Sequence, residues 1–126
     1  SGSVVRVENV LVARVADKGI SAGEASDLEV FEYQAVSSGI AIASKDLSEV
    51  RGEGVKIVDA INVGLAVYNK KTEYGPATMN LNGVEFENSD AQTIVQTGSS
   101  LLLNGEEIVG IDVDVDALYA AQILGN

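Results

Sequence analysis

Apolar and polar residues alternate along much of this chain, and the dominant period is two, the period of strands. In residues 3–16, Val5 and Val7 alternate with Arg6 and Glu8, and Val10 and Val12 alternate with Leu11 and Ala13. The phase slips near Asn9, which predicts one long strand with a bend or bulge there, or two short strands. Residues 17–27 are polar and predict a loop. Residues 28–44 fit a hairpin whose first strand sets Phe31, Tyr33 and Ala35 on one face. Leu28, Phe31, Ala35 and Val36 also fit a helix, but Ser37-Ser38-Gly39 in the middle favours the hairpin. Residues 45–54 contain Arg51-Gly52-Glu53-Gly54 and predict a loop. Residues 55–58 and 65–68 read as strands around a connection from Asp59 to Gly64, with a helix over 55–68 as the alternative. Residues 69–77 predict an exposed loop.

The C-terminal third carries two Asn-Gly pairs, Asn82-Gly83 and Asn104-Gly105, each between strand-like runs. Asn and Gly tolerate the positive φ of a type I′ turn, so both pairs predict hairpins. Ile111, Val113 and Val115 alternate with Asp112, Asp114 and Asp116, which predicts a strand with one acidic face. Residues 117–124 predict a short helix capped by Asp116, with Gly125 past its end. No convincing internal repeat is visible, although the two Asn-Gly segments resemble each other weakly. Many Val and Ile residues, short strand spacing and Gly-rich turns together predict a mainly β fold. The expected architecture is one domain over residues 1–126: an antiparallel β-sandwich or barrel with one or two short helices.

Composition narrows the chemistry. The chain has 126 residues, no His and no Cys. Ser-His-Asp, Cys-His, thiol and His-zinc sites are therefore impossible within one copy. No apolar run is long enough for a transmembrane helix, and no secretory signal opens the chain. The eight bases all lie within residues 1–71, beside ten acids; residues 72–126 hold nine acids and no base. An acidic C-terminal region repels nucleic acid and anionic membrane. The six aromatics are not set among basic residues as a stacking platform for nucleic acid requires.

Asp112, Asp114 and Asp116 are the weak metal candidates, with calcium as the cation they would take. An EF-hand loop starting at Asp112 would need Gly at 117 and Glu at 123, where Ala117 and Ile123 stand. On a flat strand the carboxylates lie about 7 Å apart, so a solvated strand face is the plainer reading. Gly52-Glu53-Gly54 is too short for a phosphate loop. Lys70-Lys71 reads as a solvated loop, and Asp59 as a turn or cap residue.

Gln92-Thr-Ile-Val-Gln96-Thr-Gly-Ser-Ser-Leu-Leu102 resembles the active-site strand of pepsin-like aspartic proteases. That family reads apolar-apolar-Asp-Thr-Gly-Ser/Thr-Ser, then Leu. Residues 79–86 resemble the preceding hairpin of the family's C-terminal lobe. Gln96 stands where the catalytic carboxylate belongs, and an amide cannot share the proton of a carboxylate pair. No second Asp-Thr-Gly is present. The resemblance implies a degenerate lobe without protease activity, and the chain is not assigned to the family. Residues 37–46 resemble a Ser-Ser-Gly segment of bacterial flagellins, but that family's long terminal helices conflict with the β pattern of residues 3–16.

The functional expectation is a non-enzymatic structural or assembly protein, a small subunit of a larger array such as a virion, tail, filament or surface layer. Its partners would be copies of itself or other assembly subunits, with no nucleic acid and no membrane insertion. No catalytic or cofactor-binding residue is assigned, and the location leans extracellular or virion. The alternatives are a binding module whose acidic C-terminal face takes a cation or basic ligand, or the degenerate lobe above. Charge polarity between the two ends predicts salt-sensitive head-to-tail contact.

Overall fold

The computed structural model describes residues 4–125. Ten strands follow in order: β1 (Val4–Ala13), β2 (Lys18–Ala22), β3 (Asp27–Val36), β4 (Ile40–Lys45), β5 (Glu49–Val58), β6 (Val63–Tyr68), β7 (Thr78–Glu87), β8 (Thr93–Val95), β9 (Ser100–Leu103) and β10 (Glu106–Ile108). One helix, α1 (Val115–Ala120), follows them. The mainly β expectation holds. The antiparallel sandwich or barrel does not. Alternate strands stack in parallel, β1-β3-β5-β7-β9 in one sheet and β2-β4-β6-β8 in the other, so the chain winds as a β-solenoid. Among the described residues, only β9 and β10 pair antiparallel.

Val4, Asp27, Glu49, Thr78 and Ser100 lie in register, giving steps of 23, 22, 29 and 22 residues. The longest step contains the 69–77 loop, which the sequence pattern placed correctly. This coil repeat escapes a search for sequence identity because each column asks only for an apolar residue of suitable size. Val5, Leu28, Val50, Met79 and Leu101 form one inward column. Val12, Ala35, Ile57 and Phe86 form another. Gly52 shares a column with Val30 and Leu81, and a Cβ on it would sit 1.7 Å from the Val30 carbonyl oxygen. The Arg51–Gly54 stretch is therefore strand, not loop.

The bend expected at Asn9 is real, and it recurs. Asn9 (φ 56), Glu32 (φ 53), Gly54 (φ 73) and Gly83 (φ 63) occupy the same place in successive coils. A second left-handed column, Arg14, Ser37, Asp59 and Asn88, turns the chain out of the long strands. Such a residue costs roughly 1–2 kcal/mol unless it is Gly, and Glu32, Ser37 and Asp59 are held by neighbouring coils on both sides. Asn82-Gly83 is thus a kink inside the continuous strand β7, not a hairpin. Asn104 (φ 53) and Gly105 (φ 81) are both left-handed and do reverse the chain, as the Asn-Gly signal predicts.

Residues 28–44 form strands, but β3 and β4 belong to different sheets and do not pair with each other. The same holds for β5 and β6. Residues 18–22, expected as loop, are strand β2. Residues 40–43 of β4 and all of β6 are buried on both faces, which explains the run of apolar residues in each. Their inward side packs in the solenoid core; Ile40, Ala43, Val63, Ala66 and Tyr68 pack on the other side against Val115 and Leu124 of the C-terminal segment. That segment is a strap across the second sheet. Lys18 Nζ donates to the Leu124 carbonyl at 2.7 Å, and the Tyr68 and Tyr119 hydroxyls hydrogen-bond at 2.6 Å.

Candidate assembly interface

The two ends of the solenoid are finished differently. At the C-terminal end, β10 folds back on β9. That reversal would leave the backbone of Val84 open, since β9 reaches only as far as Leu81 on β7. The Asn104 amide takes the place of the missing strand: the Val84 N–H donates to Asn104 Oδ1 at 2.8 Å, and Asn104 Nδ2 donates to the Val84 carbonyl at 3.1 Å. Ile111 covers the edge of β8. Its N–H donates to the Val95 carbonyl at 2.8 Å, and its carbonyl accepts from the Thr97 N–H at 2.9 Å.

At the N-terminal end, neither β1 nor β2 has a further partner among the described residues. Val5 and Val10 point along the inward columns yet remain 48% and 37% exposed. Their neighbours one coil on, Leu28 and Tyr33, are 6% and 1% exposed. Val4 and Leu11 are also exposed, at 69% and 64%. An open strand edge beside uncovered apolar side chains is a template for another strand. The terminal coil of a solenoid ordinarily carries a polar outer face to prevent this. β1 has only Arg6, Glu8 and the Asn9 kink. Arg6 lies over the Phe31 ring at 4.3 Å and pairs with Glu8 and Glu29 on the outer surface, leaving the edge itself clear.

The acidic triplet is not a strand face. Asp112 and Asp114 lie in an extended segment, and Val115 already begins α1. Asp114, rather than Asp116, caps the helix: its Oδ1 accepts from the Ala117 N–H at 3.0 Å. Asp116 sits in the first helical turn, where a negative charge suits the exposed N–H groups. No group of three or more ligating side chains converges on a common point among the described residues.

Gln96 is built into the coil. Its Oε1 accepts from the Asn69 N–H at 2.8 Å, bracing the start of the 69–77 loop. It lines a shallow hollow of about 230 Å³ with Asn69, Thr72, Pro76, Thr97 and Ser99, and no carboxylate faces that hollow. Asp46 anchors the same loop, a role that sequence reasoning missed. The residue is buried, and its Oδ1 accepts from the Lys70 and Lys71 N–H groups at 2.7 Å each. Lys71 also pairs with Glu24, which lowers the Glu24 carboxyl and raises the Lys71 ammonium from their ordinary values. Lys70 lies over the Tyr119 ring at 4.1 Å, so the two lysines fasten the loop and the strap as well as meeting solvent. Half-buried Lys45 is pushed down, first by burial and then by Lys18 and Lys70 nearby.

Comparison of the chain with family models, curated proteins and solved structures finds no match.

Proposed function

We propose that this chain is a non-enzymatic structural subunit of a larger assembly, and that it joins copies of itself through its open first coil. The observation that carries the reading is the contrast between the ends: one is closed by a hairpin, an amide and an added bridge, while at the other the outer edge of ten-residue β1 has no partner among the described residues and Val5 and Val10 stay exposed. Burial of apolar surface contributes roughly 25 cal/mol per Å², so covering this edge is favourable. Strand pairing supplies the direction that apolar contact lacks.

Size exclusion with light scattering over a wide range of protein concentration tests the reading. The parent chain should associate as concentration rises. A Val5→Lys/Val10→Lys variant should remain monomeric while melting close to the parent's monomer, because both side chains are already well exposed. A parent that stays monomeric throughout, or a variant that associates as well as the parent, would refute it.

A further inference from the structure

We infer that the first coil pairs with the first coil of a second copy, antiparallel across a two-fold axis lying between Glu8 and Asn9; this rests on the assembly reading above. The inward positions of β1 are fixed by register with β3: Val5 stacks on Leu28, Val7 on Val30, Val10 on Tyr33 and Val12 on Ala35. The kink at Asn9 divides these four valines into two pairs. A two-fold axis between Glu8 and Asn9 sets Val5 opposite the second copy's Val12, and Val7 opposite its Val10. Every inward residue then meets an inward residue. The kinks of both copies also coincide beside the axis, so neither strand must straighten. A shift of the axis by half a residue sets Val5 opposite an outward residue, which a period-two strand does not tolerate.

Charge favours the same arrangement. Residues 1–18 carry three bases and two acids, whereas residues 72–126 carry nine acids and no base, so the first coil is far less acidic than the C-terminal region. The hairpin strand β10 that closes the other end carries Glu106 and Glu107 and no base, so two closed ends repel. Head-to-tail stacking, which charge polarity alone suggests, finds no matching edge: β10 is three residues long and β1 is ten. The pairing is isologous and closes as a dimer, which would serve as the building unit of the assembly.

The chain has no Cys, so disulfide capture has no background. In the inferred register, outward Arg6 faces Leu11 of the second copy. Opposed residues of antiparallel strands lie about 4.5–5.5 Å apart between Cα atoms, within disulfide reach. Within one copy, the same two residues are about 17 Å apart along the strand. An Arg6→Cys/Leu11→Cys variant should therefore run as a covalent dimer after mild oxidation, while the single variants Arg6→Cys and Leu11→Cys should not. A dimer by light scattering without selective capture in the double variant would overturn the two-fold register and leave the open-coil reading standing. A monomer by light scattering without capture would overturn both. Equal capture in the single variants would also overturn the register.

Discussion

The Asn104 side chain makes two hydrogen bonds with the backbone of Val84, one accepted by Oδ1 and one donated by Nδ2. A side-chain amide there does the work of an absent strand, and it ends the parallel ladder without leaving strand β7 open. Asn104→Ala should lower stability by about 1–3 kcal/mol, since two hydrogen bonds are lost at roughly 0.5–1.5 kcal/mol each. The backbone at 104 is left-handed, which Asn tolerates better than Ala. Urea denaturation measures the loss. A midpoint equal to that of the parent would show that the amide does not brace the end.

The two Asn-Gly pairs show how far the sequence could be read. Both occupy the same place in the coil, since Leu81 and Leu103 are in register. Both promise a left-handed residue, and Gly83 and Gly105 deliver it. Whether the chain kinks or reverses depends on the preceding Asn: Asn104 is left-handed and Asn82 is not. That choice is made by the next coil, not by the dipeptide. Strand period, the bend at Asn9 and the 69–77 loop were legible because they are local. Parallel pairing was not, because Leu28, Val50, Met79 and Leu101 share a column without sharing identity. The exposed edge was equally hidden: Val5 and Val10 alternate like the buried strands, and nothing in that local pattern marks β1 as the strand with no partner on its outer edge among the described residues.

Asp46 should be among the most sensitive polar positions. Its Oδ1 holds the Lys70 and Lys71 N–H groups, and charge-assisted hydrogen bonds are worth about 1.5–3 kcal/mol each. Asp46→Ala should cost about 3 kcal/mol or more and loosen the 69–77 loop. Asp46→Asn keeps the accepting oxygen and should cost less. Limited proteolysis near Lys70 and Lys71, compared among the three proteins, checks this order. Equal cleavage in all of them would remove Asp46 from the role.

Gly52 permits the closest backbone approach in the long sheet. A Cβ there would meet the Val30 carbonyl oxygen at 1.7 Å, so the ladder between β3 and β5 must move to admit it. Gly52→Ala should destabilise the chain by about 2–4 kcal/mol, the range of severe core overpacking. Gly105→Ala is the comparison, since nothing lies within 4 Å of its added Cβ and only the left-handed backbone objects. That variant should lose about 1 kcal/mol. Thermal melts followed by circular dichroism separate the two, and an equal loss would mean that the β3–β5 contact relaxes freely.

Alkaline pH should unfold the protein through its tyrosines. Burial pushes the Tyr33 hydroxyl up to about 12, while it donates to the Ala41 carbonyl at 3.1 Å. Burial, then the hydrogen bond with Tyr119, pushes Tyr68 up further. Burial raises Tyr119 too, although its bond with Tyr68 acts the other way. A group raised in the folded state holds its proton after the unfolded chain has released its own. Its contribution is full below the ordinary tyrosine value of about 10 and is lost as pH climbs through the folded value. Lys45 acts with the opposite sign, because folding lowers it and so gains stability as pH nears the ordinary lysine value of about 10.4. Three raised tyrosines, joined by the raised Lys71, oppose the lowered Lys45, so the melting temperature should fall between pH 9 and pH 11. Tyr33→Phe should flatten that fall while lowering the melt at pH 8 slightly, through the lost hydrogen bond. Tyrosinate absorbance near 295 nm gives the direct check: the folded chain should ionise later than the chain in urea. Coincident titration curves would mean that burial of these rings does not govern the alkaline limit.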